Sequence, residues 1–179
     1  MKRILEVFLL FAIVLLGCPG AHAIEVALKT TSQVKSSLIE STSAEVVKVI
    51  GSARSEILVQ AISFTSSPLA KALVDARKRG VHVEIILDRS SIRNRNSSAD
   101  FMAHAGIATF IYAEHAASYN DIIVVDRETV IMGSLDFTKD GEKHAQKLTF
   151  FKTEGLAKMY ADNWQKLKEN TEVYKGRRR

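Results

Sequence analysis

Polar and acidic side chains stand at the boundaries of two apolar runs between residues 119 and 136. Carboxylates transfer protons or bind cations, and a seryl hydroxyl can hydrogen-bond an anion. Because the two runs read as short strands joined by a turn, we expect the groups at their ends to lie in one small region. These groups are Asp121, Asp126, Ser134 and Asp136, and Tyr119 stands just before them.

The two apolar runs predict the elements that position these groups. Ile122–Val125 is a continuous apolar run bounded by polar residues, as is typical of a strand buried on both faces. Residues 126–128 read as a polar turn, and residues 129–132 form a second β-rich run. Gly133 ends that run where the backbone bends or approaches a neighbour closely.

This stretch resembles the signature of the phospholipase D superfamily. It is most similar to that of the small, single-motif bacterial members, the secreted Nuc-type endonucleases. Their pattern is His-x-Lys-x4-Asp-x6-Gly-Ser-x-Asn. Asp126, Gly133 and Ser134 stand at the matching spacing. The resemblance covers nearly all of the chain after its first residues. It implies an α/β fold with a mixed β-sheet flanked by helices on both faces.

The positions that carry the family's chemistry differ in this sequence. Tyr119 stands at the position of the family's His, Asp121 at that of the Lys, and Asp136 at that of the Asn. The family also has a Glu about a dozen residues further on, for which Gln146 is the counterpart.

The resemblance implies a reaction for which these groups are poorly suited. In the family one His attacks phosphorus, a second His protonates the leaving oxygen, and Lys and Asn hold the phosphate oxygens. The Tyr119 phenol has a reference pKa of about 10, so little of it is ionised at neutral pH. Asp121 reverses a charge whose interaction with phosphate is worth about 4 kcal/mol at about 4 Å and an effective dielectric of about 20. We therefore expect a catalytically impaired protein.

The family's chemistry needs no metal or cofactor, and none is predicted. Single-motif members form two-fold dimers so that two motifs meet, so the resemblance implies a homodimer. Such a dimer would bring up to six carboxylates together, and some of them would have raised pKa values or arginine partners. A metal-site interpretation would use Asp121, Asp126 and Asp136 as oxygen ligands for Mg²⁺ or Ca²⁺.

The alternative function is an active phosphodiesterase, either an endonuclease or a phospholipase, that forms a covalent phospho-enzyme through substituted groups. Tyr119 is one candidate nucleophile. His115, four residues upstream, is the other. A third hypothesis is a binding module that holds nucleic acid or another phosphate polyanion without cleaving it.

Basic side chains outside the motif suggest where a polyanion could bind. Arg89, Arg93 and Arg95 lie in a polar segment, 89–98, that is predicted to be a loop. They are candidates for phosphate contacts, or they belong to an ordinary solvated loop. Lys175 and residues 177–179 form a basic tail that is expected to fray.

The amino terminus predicts export. A positively charged start is followed by an apolar run over 4–16, and small residues occupy a cleavage position at 21–23. The run is shorter than the roughly 20 residues that a membrane span needs. We therefore assign 1–23 to a signal peptide and 24–179 to a single domain, periplasmic or secreted. Lipoprotein anchoring at Cys18 is the minor alternative. Cys18 is the only cysteine, and the net charge is +5.

Periodicity and turn residues outline the rest of the domain. Strand–helix–strand order implies a right-handed parallel crossover, with Asp88 at the strand end where open sheets place their sites. Gln60 is a polar side chain inside a buried strand and needs a partner. We predict an edge strand over 24–28, a loop over 29–43, a helix over 44–53 capped by Ser43, strands over 56–63, 81–88, 109–112 and 147–152, and helices over 67–79, 98–105 and 154–170. The buried face of the last helix is predicted to hold Leu156, Met159, Tyr160, Trp164 and Leu167.

Overall fold

A computed structural model describes residues 31–36, 40–94, 97–112, 121–133 and 147–177. Within these ranges the strands are β1 (Thr31–Ser36), β2 (Glu56–Ala61), β3 (His82–Asp88), β4 (Ala108–Tyr112), β5 (Ile122–Val125), β6 (Thr129–Gly133), β7 (Lys147–Lys152) and β8 (Thr171–Tyr174). The helices are α1 (Glu40–Ser52), α2 (Ser67–Lys78), α3 (Arg89–Arg93), α4 (Ala99–His104) and α5 (Glu154–Lys168).

The strands form one mixed sheet in the order β1-β7-β6-β5-β2-β3-β4-β8. At its centre β2, β3 and β4 run parallel, as the predicted crossover requires. All other pairs are antiparallel, including the β5–β6 hairpin and its contact with β2. The amino end of β5 therefore lies at the same edge as the carboxyl ends of β2, β3 and β4. We call this edge the carboxyl edge and the opposite one the amino edge.

Alternating side chains divide the interior into two cores, one on each face of the sheet. Ile57 and Val59 of β2 pack with α1 and α2, whereas Leu58 packs with α5 on the other face. The period of two along a strand produces this division, because both faces are covered and both need apolar side chains. The predicted fold class, a mixed sheet with helices on both faces, is confirmed.

The start and end of α2 follow from the sequence. The Ser66 hydroxyl accepts a hydrogen bond from the Leu69 N–H at 3.4 Å, and Pro68 lies in the first turn. Proline is favoured there because its missing N–H would have no intrahelical partner. Gly80 follows the helix with a φ of +95°, a conformation that side chains disfavour. The predicted start at 67 and end near 79 are confirmed.

Two segments predicted as loops contain regular structure. Within 29–43, residues 31–36 form β1, and α1 already begins at Glu40, so Ser43 lies inside α1 rather than capping it. The polar sequence of β1 gives little local signal, and its pairing with β7 is a long-range interaction. The predicted strand over 24–28 lies outside the described residues.

The segment 89–98 is the second correction, because α3 occupies its first part. The Asp88 carboxylate accepts a hydrogen bond from the Ser90 N–H at 2.7 Å and so caps this short helix. Aspartate is a favoured N-cap residue, although its position at the end of a strand concealed that role in the sequence.

The carboxyl-terminal tail is also more ordered than predicted through residue 177. It forms β8 against β4, and the Arg177 guanidinium then pairs with the Asp100 carboxylate at 2.7 Å. The Tyr174 hydroxyl donates to the same carboxylate at 2.7 Å. The expected fraying is wrong for Arg177, because its partner Asp100 is contributed by the distant helix α4.

Helix α5 is amphipathic as predicted, and four of the five residues predicted for its buried face pack against the core: Leu156, Tyr160, Trp164 and Leu167. Ala157, Ala161 and Trp164 are its buried residues, whereas Met159 is 47% exposed. Two small alanines allow close approach to the sheet, and Met159 is about 200° around the helix from each of them. Among the helices of the described ranges, none is both long enough and apolar enough to cross a membrane.

Candidate functional site

The described motif residues divide between the two edges of the sheet. Asp121 immediately precedes β5, and Gly133 ends β6, so both lie at the carboxyl edge. Open α/β sheets place ligands in the crevice at the carboxyl ends of their parallel strands. The other predicted site residues are outside the described part of the chain: Tyr119, Ser134, Asp136, Gln146 and the alternative nucleophile His115.

Asp121 is held in place by the backbone of the neighbouring strand. Its carboxylate accepts a hydrogen bond from the Ile62 N–H at 3.0 Å, just beyond the carboxyl end of β2. The side chain at the family's Lys position is therefore a carboxylate fixed at the carboxyl edge. Charge-assisted hydrogen bonds of this kind stabilise the ionised form.

Asp126 lies at the opposite end of β5, at the amino edge. Its carboxylate accepts hydrogen bonds from three successive backbone N–H groups, those of Arg54 at 3.0 Å, Ser55 at 2.8 Å and Glu56 at 3.0 Å. The Ser55 hydroxyl adds a fourth at 2.8 Å. Burial acts to raise the pKa of Asp126, but these hydrogen bonds outweigh it and hold the pKa below its usual range.

The predicted convergence of the acidic side chains is therefore wrong for Asp121 and Asp126. A strand rises about 3.3 Å per residue, so the five steps between them span about 17 Å. Asp126 ties the β5–β6 turn to the entry of β2, and it takes no part in a shared carboxylate pocket. Its pKa shifts downward, opposite to the rise predicted for a cluster.

The predicted metal site that combined these two aspartates is also wrong, because they lie too far apart to bind one ion. Ligands of one Mg²⁺ or Ca²⁺ ion must lie within about 2.0–2.6 Å of it. Elsewhere in the described ranges, no three His, Cys, Asp or Glu side chains are arranged to hold a metal ion.

The turn after Asp126 adds ion pairs at the amino edge. Asp126 and Arg127 have φ values of 52° and 54°, the left-handed conformation of a tight hairpin. The Arg127 guanidinium then reaches the Glu56 carboxylate at 3.0 Å and that of Asp162 at 3.4 Å. These contacts join the hairpin to β2 and α5, so this edge is structural.

Two of the three candidate anion-binding arginines are described. Arg89 follows β3 at the carboxyl edge, and its guanidinium pairs with the Glu172 carboxylate at 3.3 Å. Its buried Nε has no hydrogen-bond partner in the part of the chain that the structure describes. Arg93 is exposed at the end of α3. Arg95 lies outside the described residues.

Gln60 is the polar residue whose environment the sequence left open. It lies near the carboxyl end of β2, opposite Ile122 of β5, and its side chain lines a cavity beneath α5. The sequence signal was its place in an otherwise apolar strand. The sequence did not indicate that a cavity would border it.

Comparison with known proteins identifies the family. Residues 46–168 match the family described as "Cardiolipin synthase, PLD-like domain". A phospholipase D of Rickettsia typhi is 31% identical over 130 residues, which are 72% of this chain and 64% of that protein. The chain thus spans less than two thirds of the length of this curated relative.

Solved structures share the fold. The phospholipase D family member Nuc from Salmonella typhimurium superimposes with a TM-score of 0.77 at 30% identity, covering 83% of this chain and 100% of Nuc. NucT from Helicobacter pylori gives a TM-score of 0.69 at 19% identity, covering 82% of this chain and 99% of NucT. At that identity NucT supports the fold alone. The matched residues 46–168, the similarity to Nuc and the mixed sheet agree, and the chain belongs to the phospholipase D superfamily, with the Nuc-type fold.

Proposed function

We propose that this chain is an exported, homodimeric relative of the Nuc-type endonucleases that no longer turns over phosphodiesters and that retains binding of nucleic acid or another phosphate polyanion. The observation that carries the proposal is Asp121. Its carboxylate is hydrogen-bonded to the Ile62 backbone N–H at the carboxyl edge, where the family pattern has a lysine.

A fixed carboxylate opposes the binding of a reacting phosphate. At about 4 Å and an effective dielectric of about 20, one unit charge pair is worth about 4 kcal/mol, so reversing the sign replaces an attraction by a repulsion of similar size. The hydrogen bond to Ile62 limits how far the side chain can turn away. Asp121 therefore removes the electrostatic stabilisation on which phosphoryl transfer depends.

The other three motif substitutions also remove groups that the family's reaction needs. Tyr119 replaces the nucleophilic histidine, Asp136 replaces a neutral amide, and Gln146 replaces a carboxylate. Residues of a catalytic set act as a unit, so losing several costs about as much as losing the nucleophile alone. A protein with all these changes is expected to hold its fold without catalysis.

A working phosphodiesterase is the second candidate. The similarity to Nuc over that protein's whole length favours it, because the scaffold is retained. In this candidate Tyr119 or His115 would attack phosphorus. The P–O bond to the leaving alcohol would break and that oxygen would take up a proton, while the phenol oxygen or imidazole nitrogen carries the phosphoryl group. Attack by water on phosphorus would then break that bond and restore the side chain.

Reversion of the motif tests the proposal. The wild type is expected to cleave neither plasmid DNA nor bis-p-nitrophenyl phosphate in the presence of EDTA. The variant Tyr119→His/Asp121→Lys/Asp136→Asn/Gln146→Glu is expected to cleave one or both. The matched control is Glu128→Lys, which makes the same charge change on an exposed side chain at the amino edge and should restore nothing. Wild-type turnover that resists EDTA and is lost in Tyr119→Phe or His115→Ala would support the second candidate instead.

Export and dimerisation belong to the same proposal. The apolar run over 4–16 and the small residues at 21–23 support cleavage before Ile24. In a Gram-negative expression host, the intact mass of the periplasmic protein should correspond to residues 24–179. Sedimentation analysis should give twice that mass. A lipid-modified species that disappears in Cys18→Ala would support anchoring in place of release.

A further inference from the structure

On the face of the sheet that packs against α5, five neighbouring side chains form a row across the strands. One of the five is polar. Register pairs Met132 with Ile122, Ile122 with Gln60, Gln60 with Ile86, and Ile86 with Phe110. Leu58, two residues before Gln60 on β2, belongs to the core on this face. Gln60 thus lies at the centre of an apolar row that spans five strands.

A cavity of about 350 Å³ lies over this row, between the sheet and α5. Its walls are mostly apolar and aromatic, and Gln60 and Asn163 supply amides. Ligand pockets typically have volumes of about 300–1,000 Å³ and combine apolar walls with a few polar groups. The lining residues are Gln60, Ile122, Val124, Tyr160, Asn163, Trp164 and Leu167.

The Gln60 amide has no hydrogen-bond partner among the residues that the structure describes. Two polar groups near it already have partners: the Trp164 indole N–H donates to the Val59 carbonyl at 2.9 Å, and the Tyr160 hydroxyl lies 3.9 Å from the Met132 sulfur. The half-buried Gln60 amide opens onto the cavity, so both its donor and its acceptor are available to a ligand there.

The position of the cavity connects it to the carboxyl edge. Ile122 follows Asp121 directly, and Gln60 lies two residues before Ile62, whose N–H holds Asp121. A nucleic acid held at this edge through phosphate contacts to arginine side chains, which attract phosphate where Asp121 repels it, could therefore place an adjoining base in the cavity.

We propose that this cavity binds an unpaired nucleobase, with the Gln60 amide hydrogen-bonded to the edge of the base and the apolar walls in contact with its faces. A side-chain amide offers a donor and an acceptor side by side, which matches the paired groups on a base edge. An acyl chain of a phospholipid would fill the same volume but leave the amide unpaired. The base must be unpaired, since stacking in a duplex would keep it out of the cavity.

This inference deepens the proposed function by naming single-stranded nucleic acid as the ligand, and it rests on that function only for the phosphate contacts. Trp164 is the single tryptophan of the chain and lines the cavity, so its fluorescence reports on occupancy. A short single-stranded oligodeoxynucleotide, added to the full mature protein, should change the Trp164 emission saturably. An abasic strand with the same number of phosphates should not.

The matched variants are Gln60→Met, which removes the amide at similar volume, and Gln165→Met, which makes the same change on α5 outside the cavity. Gln60→Met should weaken oligonucleotide binding about 10-fold, the effect of losing one bidentate base contact, and Gln165→Met should leave it unchanged. The Gln60→Met protein should also melt no lower than the wild type, because an apolar side chain suits the row.

Three results would overturn the cavity proposal. One is equal binding of the abasic strand and the oligonucleotide, which would leave polyanion binding intact while removing the base site. Another is unchanged affinity in Gln60→Met. The third is a saturable Trp164 response to decanoate micelles in place of the oligonucleotide, which would assign the cavity to an acyl chain. Failure of both strands to bind would remove the polyanion proposal as well.

Discussion

At the scale of single residues, the two aspartates on either side of β5 have different roles. Asp121 lies at the carboxyl edge, where the family places its phosphate-binding lysine, and Asp126 lies at the amino edge. Asp126 accepts hydrogen bonds from three successive backbone N–H groups at the start of β2. Its position in the motif thus reflects the architecture of the hairpin, which explains how Asp126 can be kept while the chemical groups are replaced.

Asp126→Ala is expected to destabilise the fold by about 2–3 kcal/mol, because it leaves backbone donors without their charged acceptor. Urea denaturation should show a lower midpoint with an unchanged slope. Asp75→Asn is the control, since Asp75 pairs with Lys71 and Lys78 on the exposed surface of α2. A midpoint for Asp126→Ala equal to that of this control would contradict the structural role.

The lowered pKa of Asp126 also determines how the stability of the fold changes with pH. When a carboxyl has a lower pKa in the folded chain than in the unfolded chain, it stabilises the fold fully at pH values above its pKa in the unfolded chain. The contribution is lost as pH falls through the folded value. The wild type should therefore lose more stability than Asp126→Asn between neutral and acidic pH in chemical denaturation.

At the scale of elements, Asp100 of α4 holds the carboxyl-terminal segment 171–177 in place through hydrogen bonds. Its carboxylate accepts from the Tyr174 hydroxyl at 2.7 Å, and from the Arg177 backbone N–H and guanidinium at 2.8 Å each. Gly176 has a φ of +80° and lies against the His104 ring, where an added Cβ would come within 2.8 Å of Nε2. The tail therefore needs glycine for both its conformation and its contact.

Loss of the Asp100 contacts should loosen β8. Burial acts to raise the pKa of Asp100, but the hydrogen bonds from Arg177 and Tyr174 outweigh it and lower the pKa to about 2. The Asp100 contacts stabilise the fold fully at pH values above the carboxyl's unfolded-state pKa of about 3.9. This stabilisation disappears as the pH falls toward the pKa in the folded protein. Asp100→Asn should cost about 1–2 kcal/mol at neutral pH. Hydrogen exchange should show faster opening of 171–174 in this variant, with little change in β2.

The contrast between buried Ala157 and exposed Met159 on α5 gives an independent test of packing. Ala157→Leu should destabilise the protein by about 1–3 kcal/mol, since the added atoms have no space against the sheet. Met159→Leu should change stability by less than about 0.5 kcal/mol, because Met159 is largely exposed. Equal thermal midpoints for the two variants would contradict the close packing of Ala157 against the sheet.

At the scale of the whole molecule, the two edges of the sheet differ in the side chains that they carry. The parallel strands β2, β3 and β4 end at the carboxyl edge beside Asp121 and Arg89, while the amino edge is occupied by hydrogen bonds to Asp126 and ion pairs of Arg127. The net charge of +5 favours an anionic partner. The proposed polyanion should therefore bind across the carboxyl edge.

Arg93→Ala should weaken retention on single-stranded DNA and reduce the slope of log affinity against log salt by about 0.7–1, the loss of one phosphate contact. Lys48→Ala is the matched control, because Lys48 is an exposed cation on α1, along the face of the sheet. Fluorescence anisotropy over a range of salt concentrations measures both slopes. The same loss in both variants would point to nonspecific attraction by the net charge.

The sequence by itself determined the family, the alternation of strands and helices, and the ends of α2, because apolar periodicity, capping residues and motif spacing are local properties. Tertiary structure alone decided which edge each aspartate occupies, how Arg177 is held by Asp100, and that Gln60 borders a cavity. It also decided that the polar run 31–36 is a strand. These features depend on the direction and pairing of strands that are distant in the chain, and spacing along a sequence does not specify which distant segments will meet.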